Sequence, residues 1–335
     1  MKKALRIAGY IVSGVIVIVI GAIGYLTIAF PKVSPPKSIT VEATLARLER
    51  GAYLVNHVVG CIDCHSARDW SKFAGPIIPG TEGKGGEKFD KETANFPGTI
   101  YAGNITPHNL KNWTDGELYR LITSGVTKEG TAIFPLMPYP AYAKMDPEDV
   151  RSVIAYIRTL REISSPKYPA ADLNFPLNLI VRTIPKDAIE PMTIPERKDT
   201  VAYGKYLVTI AACADCHTPM DDKGGRLPGM DFAGGMEFRS PLTGDIVRSS
   251  NITQSIETGI GGWTEELFVE MFTQYRDSSN RGRTVNQGEF NTAMPWMLMS
   301  GMKDEDLTAI YRYLKTIPPV EHRVEKFTAK QNVQQ

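Results

Sequence analysis

Cys61-Ile62-Asp63-Cys64-His65 returns 152 residues later as Cys213-Ala214-Asp215-Cys216-His217, and these two pentapeptides use every cysteine of the 335-residue chain. Two cysteines three positions apart, with histidine directly after the second, form the attachment signature of a c-type haem. The chemistry asks for that spacing. Residues three apart on a helical turn share a face, so both thiols reach the two vinyl groups of one porphyrin. The adjacent imidazole is then placed to serve the iron as proximal ligand. Zinc is a poorer reading, because structural zinc takes four protein ligands at ribbon or finger spacing and these pairs stand far apart, each with its own histidine. A thioredoxin-like dithiol belongs in a βαβ setting, which neither motif has. The expectation is two covalently bound haem c groups, one on Cys61 and Cys64 with His65 on the iron, the other on Cys213 and Cys216 with His217.

Outward from the motifs, the surroundings repeat as well. Gly51-Ala52-Tyr53-Leu54-Val55 corresponds to Gly204-Lys205-Tyr206-Leu207-Val208, Asn104-Ile105-Thr106 to Asn251-Ile252-Thr253, and Trp113-Thr114 to Trp263-Thr264. Met137-Pro138-Tyr139 matches Met294-Pro295-Trp296, and Asp149-Val150 matches Asp306-Leu307, all in one order with offsets of 147 to 157 residues. Such self-similarity marks a duplicated unit. The division expected is 1–30 membrane anchor, 31–43 linker, 44–162 first haem domain, 163–199 Pro-rich linker, 200–319 second haem domain and 320–335 polar, frayed tail.

Each copy reads as mainly α. A first helix runs through Leu45, Leu48, Ala52 and Val55 into the haem motif. A second begins at Thr114, where Thr-x-x-Glu to Glu117 has the form of a capping box, and runs to about Ser124. A third begins at Asp146 with Pro147 in its first turn and aligns Val150, Val153, Ile154, Ile157 and Leu160 on one stripe; Leu307, Ile310, Tyr311 and Leu314 repeat it. Gly51 and Gly204 are expected to bring the first helix close to the last, near Tyr156 and Tyr313. Gly-rich segments follow each motif, with Thr99-Ile100-Tyr101 and Asp245-Ile246-Val247 as candidate short strands. The apolar stretch 175–184 is expected to pack across both domains.

A haem iron held by His and Met has both axial positions filled and suits electron transfer. Met137 and Met294 occupy matching Met-Pro-aromatic loops between the second and third helices, and they are the expected distal ligands; Met297, Met299 and Met302 compete in the second copy and Met145 in the first. The Met145 and Met302 pair sits at helix entrances and reads as core. No histidine repeats besides His65 and His217, so two bis-histidine sites are not expected. His57, without a counterpart, reads as a surface or core residue. Trp113 and Trp263 are candidate indole donors to a haem propionate.

Lys2, Lys3 and Arg6 precede an uncharged apolar run over 7–30, long enough at about 1.5 Å per residue to cross a bilayer core of roughly 30 Å. A cleaved secretory signal also starts with a basic segment, but this run exceeds the usual apolar length and lacks a small-x-small site at its end. The expectation is an uncleaved transmembrane helix with its basic end cytoplasmic, placing both haem domains on the periplasmic side of a bacterial inner membrane. Outside residues 1–30, 35 basic residues face 37 acidic ones. That balance excludes a nucleic-acid-binding surface and gives no strong steering field.

Together, CIDCH and CADCH, the NITP and NITQ segments, GIGGWTEEL at 259–267, and the stretches MPYPAYAKMDPEDV and MPWMLMSGMKDEDL make the chain resemble the multihaem cytochrome c subunits of membrane-bound periplasmic dehydrogenases for alcohols, aldehydes and sugar acids. The resemblance implies a class I cytochrome c fold in each domain, His/Met ligation and electron carriage rather than enzymatic turnover. It implies Cys61, Cys64, His65 and Met137 around one haem and Cys213, Cys216, His217 and Met294 around the other. Those subunits often carry three haem domains and a C-terminal membrane attachment, whereas two domains and an N-terminal anchor are expected here. The expected partners are a dehydrogenase subunit or quinol-oxidising complex as donor, and an oxidase or soluble cytochrome as acceptor. The alternative is a dihaem peroxidase, which needs one open distal site. A thiosulfate-oxidising dihaem enzyme would want a cysteine on its catalytic iron, and none is spare.

Overall fold

A computed structural model describes residues 2–94, 96–188, 190–221 and 224–330. α1 (Lys2–Ala29) has no buried residue. It is one helix among the described residues long and apolar enough to cross a membrane, with mean hydropathy 2.5 over its most apolar window. A signal sequence meets the same criterion.

The first half starts with α2 (Leu45–Tyr53), capped by the Thr44 hydroxyl, which accepts from the Arg47 N–H. It passes into a π-helical turn, Leu54–Val58. A left-handed Gly60 (φ 66°) then breaks the chain before α3 (Cys61–Cys64). The expected single helix into the motif is therefore two. A residue at positive φ cannot continue a right-handed helix, and the break turns the cysteines independently of α2. Leu45, the first residue of α2, is exposed. Next come β1 (Lys88–Phe89), α4 (Lys91–Ala94), β2 (Gly98–Tyr101), α5 (Pro107–Leu110), α6 (Asp115–Ser124), α7 (Tyr139–Tyr142) and α8 (Pro147–Ile157), then β3 (Asp172–Leu173) and α9 (Leu177–Ile180). The second half repeats the order: α10 (Thr200–Ile210), α11 (Cys213–His217), β4 (Glu237–Arg239), β5 (Ile246–Arg248), α12 (Glu265–Thr273), α13 (Trp296–Met299), α14 (Asp304–Leu314) and β6 (Phe327–Thr328).

The capping box at Thr114 and Glu117 forms as expected, and Gly125 ends α6 in the left-handed conformation. α8 starts from Asp146 and buries Val150, Val153, Ile154 and Ile157. α2 packs along α8, and α10 along α14. A Cβ on Gly51 would collide with the Ser152 carbonyl and the Tyr156 Cβ; one on Gly204 would meet the Ala309 carbonyl and the Tyr313 Cβ. Only glycine allows the backbones this close.

Both candidate strands form, as β2 and β5, and each half gains two more that the sequence did not suggest. β1, β2 and β3 pair antiparallel, as do β4, β5 and β6. Thus residues 172–173, from the expected linker, and 327–328, from the expected frayed tail, are sheet members. The tail is held further by the Lys330 N–H donating to Asp245 Oδ1 at 2.7 Å. The Asn-Ile-Thr repeats explain the returning chain. Asn104 donates to the Ile163 carbonyl at 2.8 Å and accepts from the N–H and hydroxyl of Thr106. Asn251 donates to the Val320 carbonyl at 2.8 Å and accepts likewise from Thr253.

The halves meet through one continuous core that mixes Leu54, Val58 and Tyr142 with Tyr206, Leu298 and Met302. At its centre the polar partners are exchanged. The Tyr53 hydroxyl donates to Asp306 Oδ2 and the Tyr206 hydroxyl to Asp149 Oδ2, each at 2.6 Å. Asp149 is 1% exposed and Asp306 fully buried. Buried carboxylates need such partners, and each also receives an arginine: Arg50 forks onto both oxygens of Asp149 at 2.8 and 2.7 Å, and Arg197 donates to Asp306 at 2.7 Å. Burial, followed by Asp306 or Asp149, raises the pKa of Tyr53 and Tyr206, so both stay protonated donors. His57 lies in this contact too, its Nδ1 3.0 Å from the Leu298 carbonyl. The Gly-rich segment after the first motif docks on the other half: Phe73 N–H donates to Arg283 O and Ala74 N–H to Asn291 Oδ1, each at 2.8 Å.

Candidate haem-attachment site

Cys61 and Cys64 lie on the single turn of α3, and Cys213 and Cys216 on α11, all as free thiols. Burial pushes Cys61, Cys64 and Cys213 up to about 12 and Cys216 to about 11. Surrounding protein disfavours the thiolate although Cys64 and Cys216 have accessible surface.

Each motif histidine is fixed from behind. His65 Nδ1 is 2.6 Å from the Gly103 carbonyl, and His217 Nδ1 is 2.7 Å from the Ser250 carbonyl. A carbonyl only accepts, so Nδ1 carries the proton and Nε2 keeps its lone pair. Metal-ligating histidines are commonly oriented in this way, by a carbonyl at the other ring nitrogen. Burial, partly offset by that backbone bond, lowers the pKa of both histidines, which keeps the ring neutral. The carbonyls are brought there by doubled glycines. Gly85 N–H donates to His65 O at 2.8 Å, and Gly234 N–H to His217 O at 2.7 Å. Gly85 (φ 74°) and Gly234 (φ 73°) abut the backbone at residues 103 and 250 without room for a Cβ. Behind each histidine a fully buried hydroxyl, Ser66 or Thr218, accepts from Gly83 N–H at 3.1 Å or Phe232 N–H at 3.2 Å.

The central aspartates are paired with arginines from the following loop. Arg68 contacts Asp63 at 2.9 Å and stacks on Trp70, 4.2 Å from its ring centroid; Arg226 pairs with Asp215. One local difference is strained. The residue before α3 is Gly60, but before α11 it is Ala212, also left-handed at φ 54°. A Cβ in that conformation costs roughly 1–2 kcal/mol. Ala212→Gly should therefore raise stability by about 1 kcal/mol, after the loss from the freer unfolded chain, as read by the shift of the denaturant midpoint at unchanged slope.

Met137 and Met294 precede α7 and α13, half-buried and packed against the main core. The backbone turns tightly after each: Tyr139 N–H donates to Met137 O at 2.6 Å and Trp296 N–H to Met294 O at 2.8 Å. Of their competitors, Met145, Met299 and Met302 are buried in the core, leaving Met297 as the partly accessible rival. Trp113 and Trp263 also pack on the core, and their carbonyls accept from Arg158 and from the Tyr311 hydroxyl.

The turn that carries Cys61 and Cys64 faces the contact between halves. A Cβ on Gly60 would lie 3.5 Å from Leu298 Cδ2. The buried Tyr142 hydroxyl donates to the Val59 carbonyl at 3.0 Å, and burial, then Cys61 and Cys64, then Asp215 of the second motif, push its pKa well up. The donor set fits haem c: two thiols on one turn and a neutral imidazole with one free nitrogen, twice over. The glycines at 85 and 234 and the buried hydroxyls escaped the sequence reading. The doubled Gly-Gly in matching positions of the two copies was the signal that would have found them.

No family model matches the chain. It is 30% identical over 305 residues to the cytochrome c subunit of alcohol dehydrogenase (quinone) of Gluconacetobacter polyoxogenes, covering 84% of this chain and 58% of that protein. Over 304 residues it is 27% identical to the fructose dehydrogenase cytochrome subunit of Gluconobacter japonicus, covering 86% and 56% respectively. Against a diheme cytochrome c-type protein of Cereibacter sphaeroides, identity is 30% over 276 residues, 78% of this chain and 83% of that one. The chain thus spans little more than half the length of the dehydrogenase subunits and most of the length of the diheme protein.

Proposed function

This chain belongs to the cytochrome c family that includes the diheme cytochrome of Cereibacter sphaeroides and the cytochrome c subunits of alcohol and fructose dehydrogenases, and on that footing we propose that it is a membrane-anchored periplasmic carrier holding two haem c groups. As a member of that family it has covalently bound haem c and serves electron transfer. The finer reading assigns one haem to Cys61, Cys64, His65 and Met137 in a class I domain over 44–162. The other belongs to Cys213, Cys216, His217 and Met294 in a second class I domain over 200–319. The observation that carries it is the matched pair of thiol–thiol–imidazole sets, each histidine held through Nδ1 with Nε2 free.

When bound, haem c supplies a one-electron couple whose potential a thioether ligand raises. The chain's own residues do the rest. The Gly103 and Ser250 carbonyls orient the imidazoles, and the interlocked Tyr53, Tyr206, Asp149 and Asp306 set the spacing of the two attachment turns. That arrangement supports electron passage within the chain, accepted from a dehydrogenase subunit or quinol-oxidising complex and donated to an oxidase or soluble cytochrome. α1 holds the carrier to the inner membrane with both haems outside. Absorption and EPR spectra of the oxidised protein test the reading. Two low-spin signals, a Met-to-iron band and two haems per chain by pyridine haemochrome are expected. A high-spin haem that turns over peroxide after half reduction would replace the carrier with a peroxidase.

A further inference from the structure

The segment Phe175-Pro176-Leu177-Asn178-Leu179-Ile180-Val181 does not bridge the two halves as its apolar character suggested. Its inner side joins a satellite cluster of the first half, where Leu173 and Val181 are buried with Phe96 and Leu177 packs alongside Ile100 and Phe134. Its outer side is bare: Phe175 is 74% and Ile180 49% exposed. A helical turn held by its inner residues thus shows two large apolar groups outward, five positions apart in the chain.

Its position says what covers it. α9 and the 3-10 turn Val181–Thr183 lie against α1. The partly covered residues of α1 are Gly24, Leu26 and Ala29, so the contact is at the end where the helix would leave the bilayer. Just beyond, Ser34 clamps the chain to the same segment, its N–H and hydroxyl donating to Asp187 at 3.0 and 2.8 Å. The exposed cations Lys32 and Lys186 flank the patch, where anionic headgroups would attract them.

We propose that residues 175–180 form a foot in the membrane interface, with Phe175 and Ile180 entering the headgroup–acyl boundary of the bilayer that α1 crosses. The inference rests on α1 being an uncleaved anchor. Apolar side chains fixed beside the exit of a spanning helix lie at the depth where interfacial segments bury their apolar face. A lipid surface, and not another protein, is the occupant because the Ser34–Asp187 clamp keeps the patch at that exit. Two attachments on one half then define which side of the carrier faces the membrane.

The test uses the full chain reconstituted in vesicles of phosphatidylcholine and phosphatidylglycerol. Photoreactive p-benzoylphenylalanine replaces Phe175, Ile180 or, as a reference, Ile256, an exposed apolar residue of the second half. Mass spectrometry should find lipid adducts at 175 and 180 and none at 256. Membrane retention in alkaline carbonate without adducts at 175 and 180 overturns the foot alone, as do equal lipid adducts at 256 or adducts to a second protein chain. Release of the chain by carbonate overturns the anchor and the foot together.

Discussion

Met137→Ala is expected to abolish the Met-to-iron band of one haem and Met294→Ala that of the other, each lowering the affected midpoint potential by on the order of 100 mV. The fold should survive both changes. Each methionine is only half-buried, and the neighbouring cores are closed by Met145 and Met302, each 1% exposed. Losing a thioether therefore opens a distal site without collapsing the helices around it. Absorption spectra and redox titration of the single variants check this. A second haem unchanged in Met294→Ala would move the ligand to Met297, because Met299 and Met302 are engaged in packing.

Gly51→Leu should be the most damaging substitution outside the haem motifs. Its first side-chain carbon already collides with the backbone carbonyl of Ser152 and with Tyr156, and a carbonyl held in the α8 ladder cannot step aside as a flexible side chain would. Overpacking of this kind costs about 3 kcal/mol, the upper end of the usual range, and the equivalent Gly204→Leu, against Ala309, should cost as much. Chemical denaturation of the oxidised holoprotein measures both. Gly262, with nothing within 4 Å of a Cβ and no left-handed backbone, is the comparison: Gly262→Ala should leave the midpoint within about 0.5 kcal/mol of the parent. A Gly51→Leu protein with the parental midpoint and full haem loading would refute the close packing of α2 on α8.

Features resting on local rules were legible in the sequence. The capping box at Thr114, the Pro147 start of α8 and the buried stripe through Val150 and Ile154 all follow from residues close in the chain, and the glycine contact of α2 was marked by the repeat of Gly51 as Gly204. What escaped notice depended on distant partners. Nothing near Phe327 announces a strand, since its pairing with Val247 is set only when the chain returns past Asn251. The break at Gly60 was missed because apolar periodicity is blind to the sign of φ. Asp149 and Asp306 were visible as a repeat, yet their exchange of tyrosines between halves is a fact of docking. His57 likewise gains meaning only against Leu298. The haem motifs themselves were plain, while the carbonyls that orient their histidines belong to residues 103 and 250, which no side-chain pattern marks.

The exchanged tyrosine–aspartate pairs make the contact between halves isologous, of the kind two identical subunits form about a two-fold axis. Here both sides of that contact sit on one chain. A separate pair of subunits would associate to an extent set by dilution, whereas a tether converts docking into a unimolecular step at an effective concentration in the millimolar range, as an order of magnitude. The distance between the two CxxCH turns is thereby independent of the protein's concentration, and a single copy is already a complete pair.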